Sequence, residues 1–159
     1  MTVVAFDGRS VAADRRLNYG SMTGQTCKVF QTAHGILGGA GNLAQIREML
    51  AWLNKGALPK DFPDAQRNAN DSPTLMRVLP TGQVLIYEHS PYPYQIDSPF
   101  WAIGSGSAYA MAAMHLGRSS REAVEVACAL DSSCGNGIDE LALAGLASGT
   151  GMRSVAVVD

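Results

Sequence analysis

The first fourteen residues restrict the possible folds more than any other stretch. Met1-Thr2-Val3-Val4-Ala5-Phe6 and Arg9-Ser10-Val11-Ala12-Ala13-Asp14 are short and mostly apolar, and Asp7-Gly8 stands between them. This predicts two paired strands closing on a two-residue Asp-Gly turn. Removal of Met1 would leave Thr2 at the start of a buried strand with a free α-amine. Such an amine titrates at about 7.7–8.0 and can take the proton of the threonine hydroxyl. One residue then supplies both a nucleophile and its base.

Two charged residues sharpen that chemistry. Asp14 ends the second strand, and Lys28, one of three lysines, opens the next apolar run, Lys28-Val29-Phe30-Gln31-Thr32-Ala33, after a stretch rich in Gly, Ser and Thr read as a polar loop. A lysine beside the nucleophile lowers the pKa of the amine or hydroxyl, and a paired aspartate holds that lysine in place.

Thr2, Asp14 and Lys28 in this order resemble the proteasome β-subunit family of N-terminal-nucleophile hydrolases, most of all its bacterial HslV-type peptidases. The likeness continues along nearly the whole chain. Gly38-Gly39-Ala40-Gly41 is similar to the family's small-residue turn into its first helix, and Ala102-Ile103-Gly104-Ser105-Gly106 to its Ile-Gly-Ser-Gly motif. Asp131-Ser132-Ser133-Cys134-Gly135 is similar to the Asp-x-x-Ser-Gly segment, with Cys134 in place of the serine. A thiol is a weaker hydrogen-bond partner than a hydroxyl.

The resemblance implies an α+β fold, a four-layer αββα sandwich formed by residues 1–159 as one domain. It also implies a set of roles. Thr2 is the nucleophile, Asp14 and Lys28 tune its protonation, the Gly41 N–H binds the oxyanion, and Ser105 with Asp131 positions the amine. Leu17, Thr26, Phe30, Gly39 and Leu43 match the family's specificity-pocket positions, and their mainly small or apolar character implies peptides with bulky apolar side chains.

Composition limits the alternatives. A length of 159 residues with 47% hydrophobic content suits one compact core. The net charge of −2 and pI near 5.9 offer no basic face for nucleic acid or anionic lipid. Only 16% of residues are charged, which points to a surface partly covered by other subunits. Cys27, Cys128 and Cys134 cannot all pair with one another and lack metal-ligand spacing, so no metal or cofactor is expected and a reducing, cytoplasmic setting is. No run of about twenty apolar residues supports a membrane span, and no basic-then-apolar opening supports a signal peptide.

Further along, Asn42 begins a helix with Leu43, Ile46, Leu50 and Leu53 on one stripe, Gln45 at the capping-box position and Gly56 as its stop. Residues 58–72 read as a surface loop with room for a helical turn. Strands are predicted over 74–79 and 83–88, with Pro80-Thr81-Gly82 between them. Ser90-Pro91-Tyr92-Pro93-Tyr94 reads as a turn in preference to a proline-rich ligand. Phe100–Ile103 reads as a strand, and Gly104-Ser105-Gly106 lacks the third glycine of a dinucleotide-binding turn. A second helix, capped by Ser107 or a neighbour, runs to Gly117. A third begins with a Ser119/Glu122 capping box, faces Ala123, Val126, Ala127 and Leu130 inward, and ends at Asp131. Closing strands are expected near 138–143 and 153–158.

The leading expectation is therefore a threonine peptidase in a homo-oligomeric double ring. It would be fed unfolded polypeptide by a separate ATP-dependent unfoldase, since the chain has no Walker sequence. The alternatives are an amidase acting on a small molecule and a catalytically silent proteasome-like scaffold. The processing expected is removal of Met1.

Overall fold

A computed structural model describes residues 2–67 and 72–143. The first half contains β1 (Val4–Phe6), β2 (Ser10–Asp14), β3 (Arg16–Tyr19), β4 (Met22–Gln25), β5 (Val29–Thr32), β6 (Gly35–Ala40) and α1 (Leu43–Asn54). A 3-10 turn (Pro59–Asp61) and α2 (Asp64–Arg67) lie in the segment read as a loop. Then come β7 (Thr74–Val78), β8 (Val84–Tyr87), β9 (Tyr94–Ile96), β10 (Trp101–Ile103), α3 (Ser107–His115), α4 (Ser120–Leu130) and β11 (Ile138–Ala142). The strand expected near 153–158 lies outside the described residues.

The strands form two larger antiparallel sheets, ordered β10-β1-β2-β11 and β5-β6-β7-β8-β9, and a separate β3-β4 pair. Side chains alternate across a strand, and β1 uses both sides. Val4 and Phe6 pack with Val29, Ile36, Met76 and Val78 of the other large sheet. Val3 and Ala5 pack with Ala110, Met114, Ala123 and Ala127 of α3 and α4. A third cluster joins Phe30, Leu37 and Leu75 of the second sheet to Ile46, Met49, Leu50 and Leu53 of α1. The opening strand is apolar at successive positions because both of its faces are covered. Gly38 is what brings the sheets together there, for a Cβ on it would lie 2.5 Å from Val4 Cγ1.

Several local expectations are corrected. The turn after β1 is Gly8-Arg9, with Gly8 at φ 93°. Asp7 flanks it, and its Oδ1 accepts the Arg9 and Ser10 N–H groups at 2.8 and 2.9 Å. Gly38-Gly39-Ala40 belongs to β6, so the turn into α1 is Gly41 alone, at φ 104°. The polar stretch after Asp14 is the β3-β4 hairpin. It carries no hydrophobic alternation, and Tyr19 and Met22 are exposed. Tertiary bonds hold it instead: Thr26 N–H to Arg15 O at 2.8 Å, and Asn136 Nδ2 to Gly24 O at 2.8 Å.

Helix ends follow their caps. Asn42 Oδ1 accepts from Ala44 N and Gln45 N, while Gln45 Oε1 is buried without a partner and makes no capping box. Gly106, the neighbour of Ser107, is the N-cap of α3, and no side chain caps that end. Ser119 and Glu122 make both bonds of a capping box at α4. The inward stripe of that helix is Ser120, Ala123, Val124 and Ala127, and Val126 and Leu130 face outward. Both stripes have helical spacing. The buried contact of Ser120 Oγ with Ser10 Oγ, at 2.7 Å, sets which one turns in. Among the described residues no helix is long and apolar enough to cross a membrane.

Candidate active site

Thr2 enters β1 4% exposed, and its backbone is held on both sides. Its nitrogen donates to Ser105 Oγ at 3.2 Å, and its carbonyl accepts the Gly106 N–H at 3.2 Å. Gly104, at φ 95°, passes so close that a methyl group there would strike the Thr2 carbonyl. The Gly-Ser-Gly segment thus wraps the start of β1 and places one hydroxyl on the Thr2 nitrogen.

Asp14 and Lys28 meet directly beneath this start. Lys28 Nζ lies 2.8 Å from Asp14 Oδ1, and both side chains are almost wholly buried. A buried carboxylate needs more than one partner, and Asp14 has them. Oδ1 also accepts the Val3 N–H at 3.1 Å, and Oδ2 accepts the N–H groups of Arg16 at 3.2 Å and Gly135 at 3.1 Å. The Val3 bond fastens the ion pair to the residue next to Thr2.

Asp131 is linked to Thr2 through Ser105. The Ser133 N–H, at 2.8 Å, and the Ser105 hydroxyl hold its carboxyl below the usual carboxylate range. Cys134, where the resemblance has serine, is 2% exposed. Burial, the charge of Asp14 and the contact with Asp131 push its pKa up to about 12. It therefore stays a thiol and donates to Asp131 Oδ2 at 3.4 Å, so this link is retained in weaker form.

Thr2, Gly41 and Ser105 share the wall of one open cavity of about 350 Å³ with Ala40, Asn42, Ser72, Thr74 and Gly104. The structure thus gathers six of the residues singled out from sequence: Asp14, Lys28 and Asp131 behind Thr2, and Gly41 and Ser105 beside it. The five specificity positions are placed elsewhere and do not line this cavity. Leu17 on β3, Thr26 after β4 and Leu43 at the start of α1 are partly exposed. Phe30 is core, with the Arg47 guanidinium 4.9 Å over its ring. Gly39 faces α1, where a Cβ would lie 2.6 Å from Ile46 Cγ2. Asn42, Ser72 and Thr74 went unassigned in the sequence; Asn42 was visible there only as a helix cap. Among the described residues no three His, Cys, Asp or Glu side chains are grouped to hold a metal ion.

The geometry defines a mixed fold of antiparallel sheets and helices with a threonine, a serine and a buried Lys–Asp pair at one end. No protein-family profile and no curated protein sequence matches the chain. Among solved structures it is similar to Thiobacillus denitrificans BPH, with a TM-score of 0.64 at 18% identity over 91% of this chain and 100% of that one. It is also similar to the same protein in complex with epoxomicin, with a TM-score of 0.66 at 19% identity over 89% of this chain and 97% of that one. At these identities the likeness is one of fold.

Proposed function

We propose that the chain is a threonine-type peptidase on the four-layer αββα fold of N-terminal-nucleophile hydrolases, related to the HslV type. One observation carries this reading: a buried Lys28–Asp14 pair fastened through the Val3 N–H to the strand start that bears Thr2, with Ser105 Oγ on the Thr2 nitrogen. The successive layers of packing, from α3 and α4 through two sheets to α1, support the fold assignment. The epoxomicin complex of a protein with this fold supports the chemistry.

The steps require Met1 to be hydrolysed off. The Thr2 hydroxyl oxygen then bonds to the scissile carbonyl carbon while its proton moves to the Thr2 amine. The Gly41 N–H donates to the resulting oxyanion. The proton passes to the leaving nitrogen as the C–N bond breaks, leaving an ester on Thr2. Water adds to that ester, giving its proton to the amine, and the acid product leaves with Thr2 restored. Lys28 and Asp14 set the field around the amine, and Asp131 holds Ser105. Substrate contact falls to Leu17, Thr26 and Leu43, which are partly exposed, whereas Phe30 and Gly39 are buried.

This reading carries a homo-oligomeric double ring supplied with unfolded polypeptide by a separate ATP-dependent unfoldase. Exposed Tyr109, Leu116, Val126 and Leu130 on α3, at its end and on α4 support subunit contact. Three free thiols support a cytoplasmic setting.

The test pairs intact mass with a peptide epoxyketone probe. Chains lacking Met1 are expected to be labelled at Thr2, and chains retaining it are not. Equal labelling of Met1-bearing protein, or of Thr2→Ala, would remove Thr2 from the mechanism and leave a silent scaffold as the better reading.

A further inference from the structure

Four hydroxyl-bearing residues line the cavity beside the strand start: Thr2 itself, Ser72, Thr74 and Ser105. Two of the hydroxyls are committed within the protein. Ser105 Oγ meets the Thr2 nitrogen at 3.2 Å and the Thr2 carbonyl at 3.4 Å, and Ser72 Oγ meets His89 Nδ1 at 2.6 Å. On the peptidase reading the Thr2 hydroxyl is the nucleophile. Among the described residues the Thr74 hydroxyl has no hydrogen-bond partner.

Strand register gives the direction of the Thr74 side chain. Thr74 pairs with Ala40 of β6, and Met76 pairs with Gly38. Residues paired across antiparallel strands share a face, as do residues two apart on one strand. Gly38 faces β1, since a Cβ on it would lie 2.5 Å from Val4 Cγ1, and Ala40 and Met76 join the same apolar cluster as Val4. Thr74 therefore turns toward β1, two positions along from the Gly38–Val4 contact and level with Thr2. Ala40 spans the interval. A Cβ on Gly104, the glycine that lies against the Thr2 carbonyl, would be 3.4 Å from Ala40 Cβ. The Thr74 Cβ stands about 5 Å from that of its partner Ala40.

Thr74 is partly buried, and a partly buried hydroxyl without a protein partner is satisfied by water. A cavity of about 350 Å³ has room for that water. We propose that Thr74 is a positioning residue whose hydroxyl holds the water that hydrolyses the Thr2 ester. The inference rests on the peptidase reading and gives its second half-reaction a residue of its own. The water oxygen bonds to the ester carbon as one of its protons passes to the Thr2 amine. The bond from that carbon to the Thr2 oxygen then breaks, the proton returns to that oxygen, and the acid leaves. The Thr74 oxygen accepts the water's other hydrogen and so sets its orientation before attack.

The experiment uses protein from which Met1 has been removed and a peptide 4-nitrophenyl ester, whose good leaving group makes acylation fast. Acid-quenched samples read by intact mass give the rate at which the acyl-Thr2 adduct forms and the rate at which it decays. A peptide epoxyketone reports the nucleophile separately, because its adduct needs no hydrolytic water. Thr74→Val keeps the branched shape and removes the hydroxyl. It should slow decay of the adduct by about fivefold or more, the size of one net hydrogen bond, while acylation and epoxyketone labelling stay within about twofold of the parent. Thr74→Ser keeps the hydroxyl and should recover most of the decay rate.

Decay at the parent rate in Thr74→Val would overturn this inference and leave the peptidase reading standing. So would a fall in labelling as large as the fall in decay, which marks damage to the whole site, or a Thr74→Ser decay no faster than that of Thr74→Val. Absence of any labelling at Thr2 in the parent would overturn the peptidase reading, and this inference with it.

Discussion

At the level of single residues, the Asp14 carboxylate is the most heavily bonded group in the site, with Lys28 and three backbone N–H groups around it. Lys28→Ala leaves that carboxylate buried without its counter-charge, a change that costs about 3 kcal/mol or more. Urea unfolding is expected to register this loss, and on the peptidase reading a separate peptide-hydrolysis assay should show near-complete loss of activity. Lys28→Arg keeps the charge but misplaces it, and should recover part of the stability and little of the activity. Asp131 gives a pH signature. Its folded pKa lies below the ordinary value, so its contribution is complete above about pH 3.9 and drains as pH falls through the lower folded value. Melting temperatures measured between pH 5 and 2 should fall less steeply for Asp131→Asn than for the parent chain. Cys134, with its thiol pushed up to about 12, should resist alkylation at pH 8 in the folded protein, and mass mapping before and after denaturation would reveal the difference. Thr2, Asp14 and Lys28 were legible in the sequence because each carries its chemistry in a side chain at the end of a recognisable strand. The contributions of Val3, Gly104, Gly106 and Gly135 were not, since a backbone N–H or a missing Cβ looks the same in any sequence.

At the level of elements, patterns held where burial imposes a period and failed where contact from elsewhere decides. The first helix, the strand pair at 74–78 and 84–87, and the Ser119/Glu122 cap could be read directly. The β3-β4 hairpin could not, because its residues are polar and exposed and its anchors lie as far away as Asn136 and Ser133. Likewise, periodicity alone could not say whether Val124 or Val126 turns inward on α4. Ser119→Ala removes half of a capping box and should cost about 1 kcal/mol in denaturant unfolding. Gly104→Ala should do more damage. Its methyl group would meet the Thr2 carbonyl and the positive φ would be strained, so both stability and Thr2 labelling should fall.

At the level of the whole molecule, 18–19% identity to a structure of the same fold shows how little of the sequence the architecture requires. In this chain small residues stand at the close approaches and apolar residues on the covered faces. The outer apolar residues of α3 and α4 carry a prediction about assembly: light scattering at micromolar concentration should find an oligomer, and a stable monomer would sink the ring. The Asp14 cluster has a temporal consequence. Val3, Arg16 and Lys28 come from the first part of the chain, whereas the Gly135 N–H closes onto Asp14 across 121 residues. Closing so long a loop carries an entropic cost that later contacts must offset, which places it late in folding. On the peptidase reading, a nascent or half-folded chain holds its proposed nucleophile without a finished counter-ion network and is expected to be inert. In refolding experiments, reactivity toward an epoxyketone should return no sooner than the slowest structural phase, so that completion of the fold itself would act as the safety catch on the proposed activity.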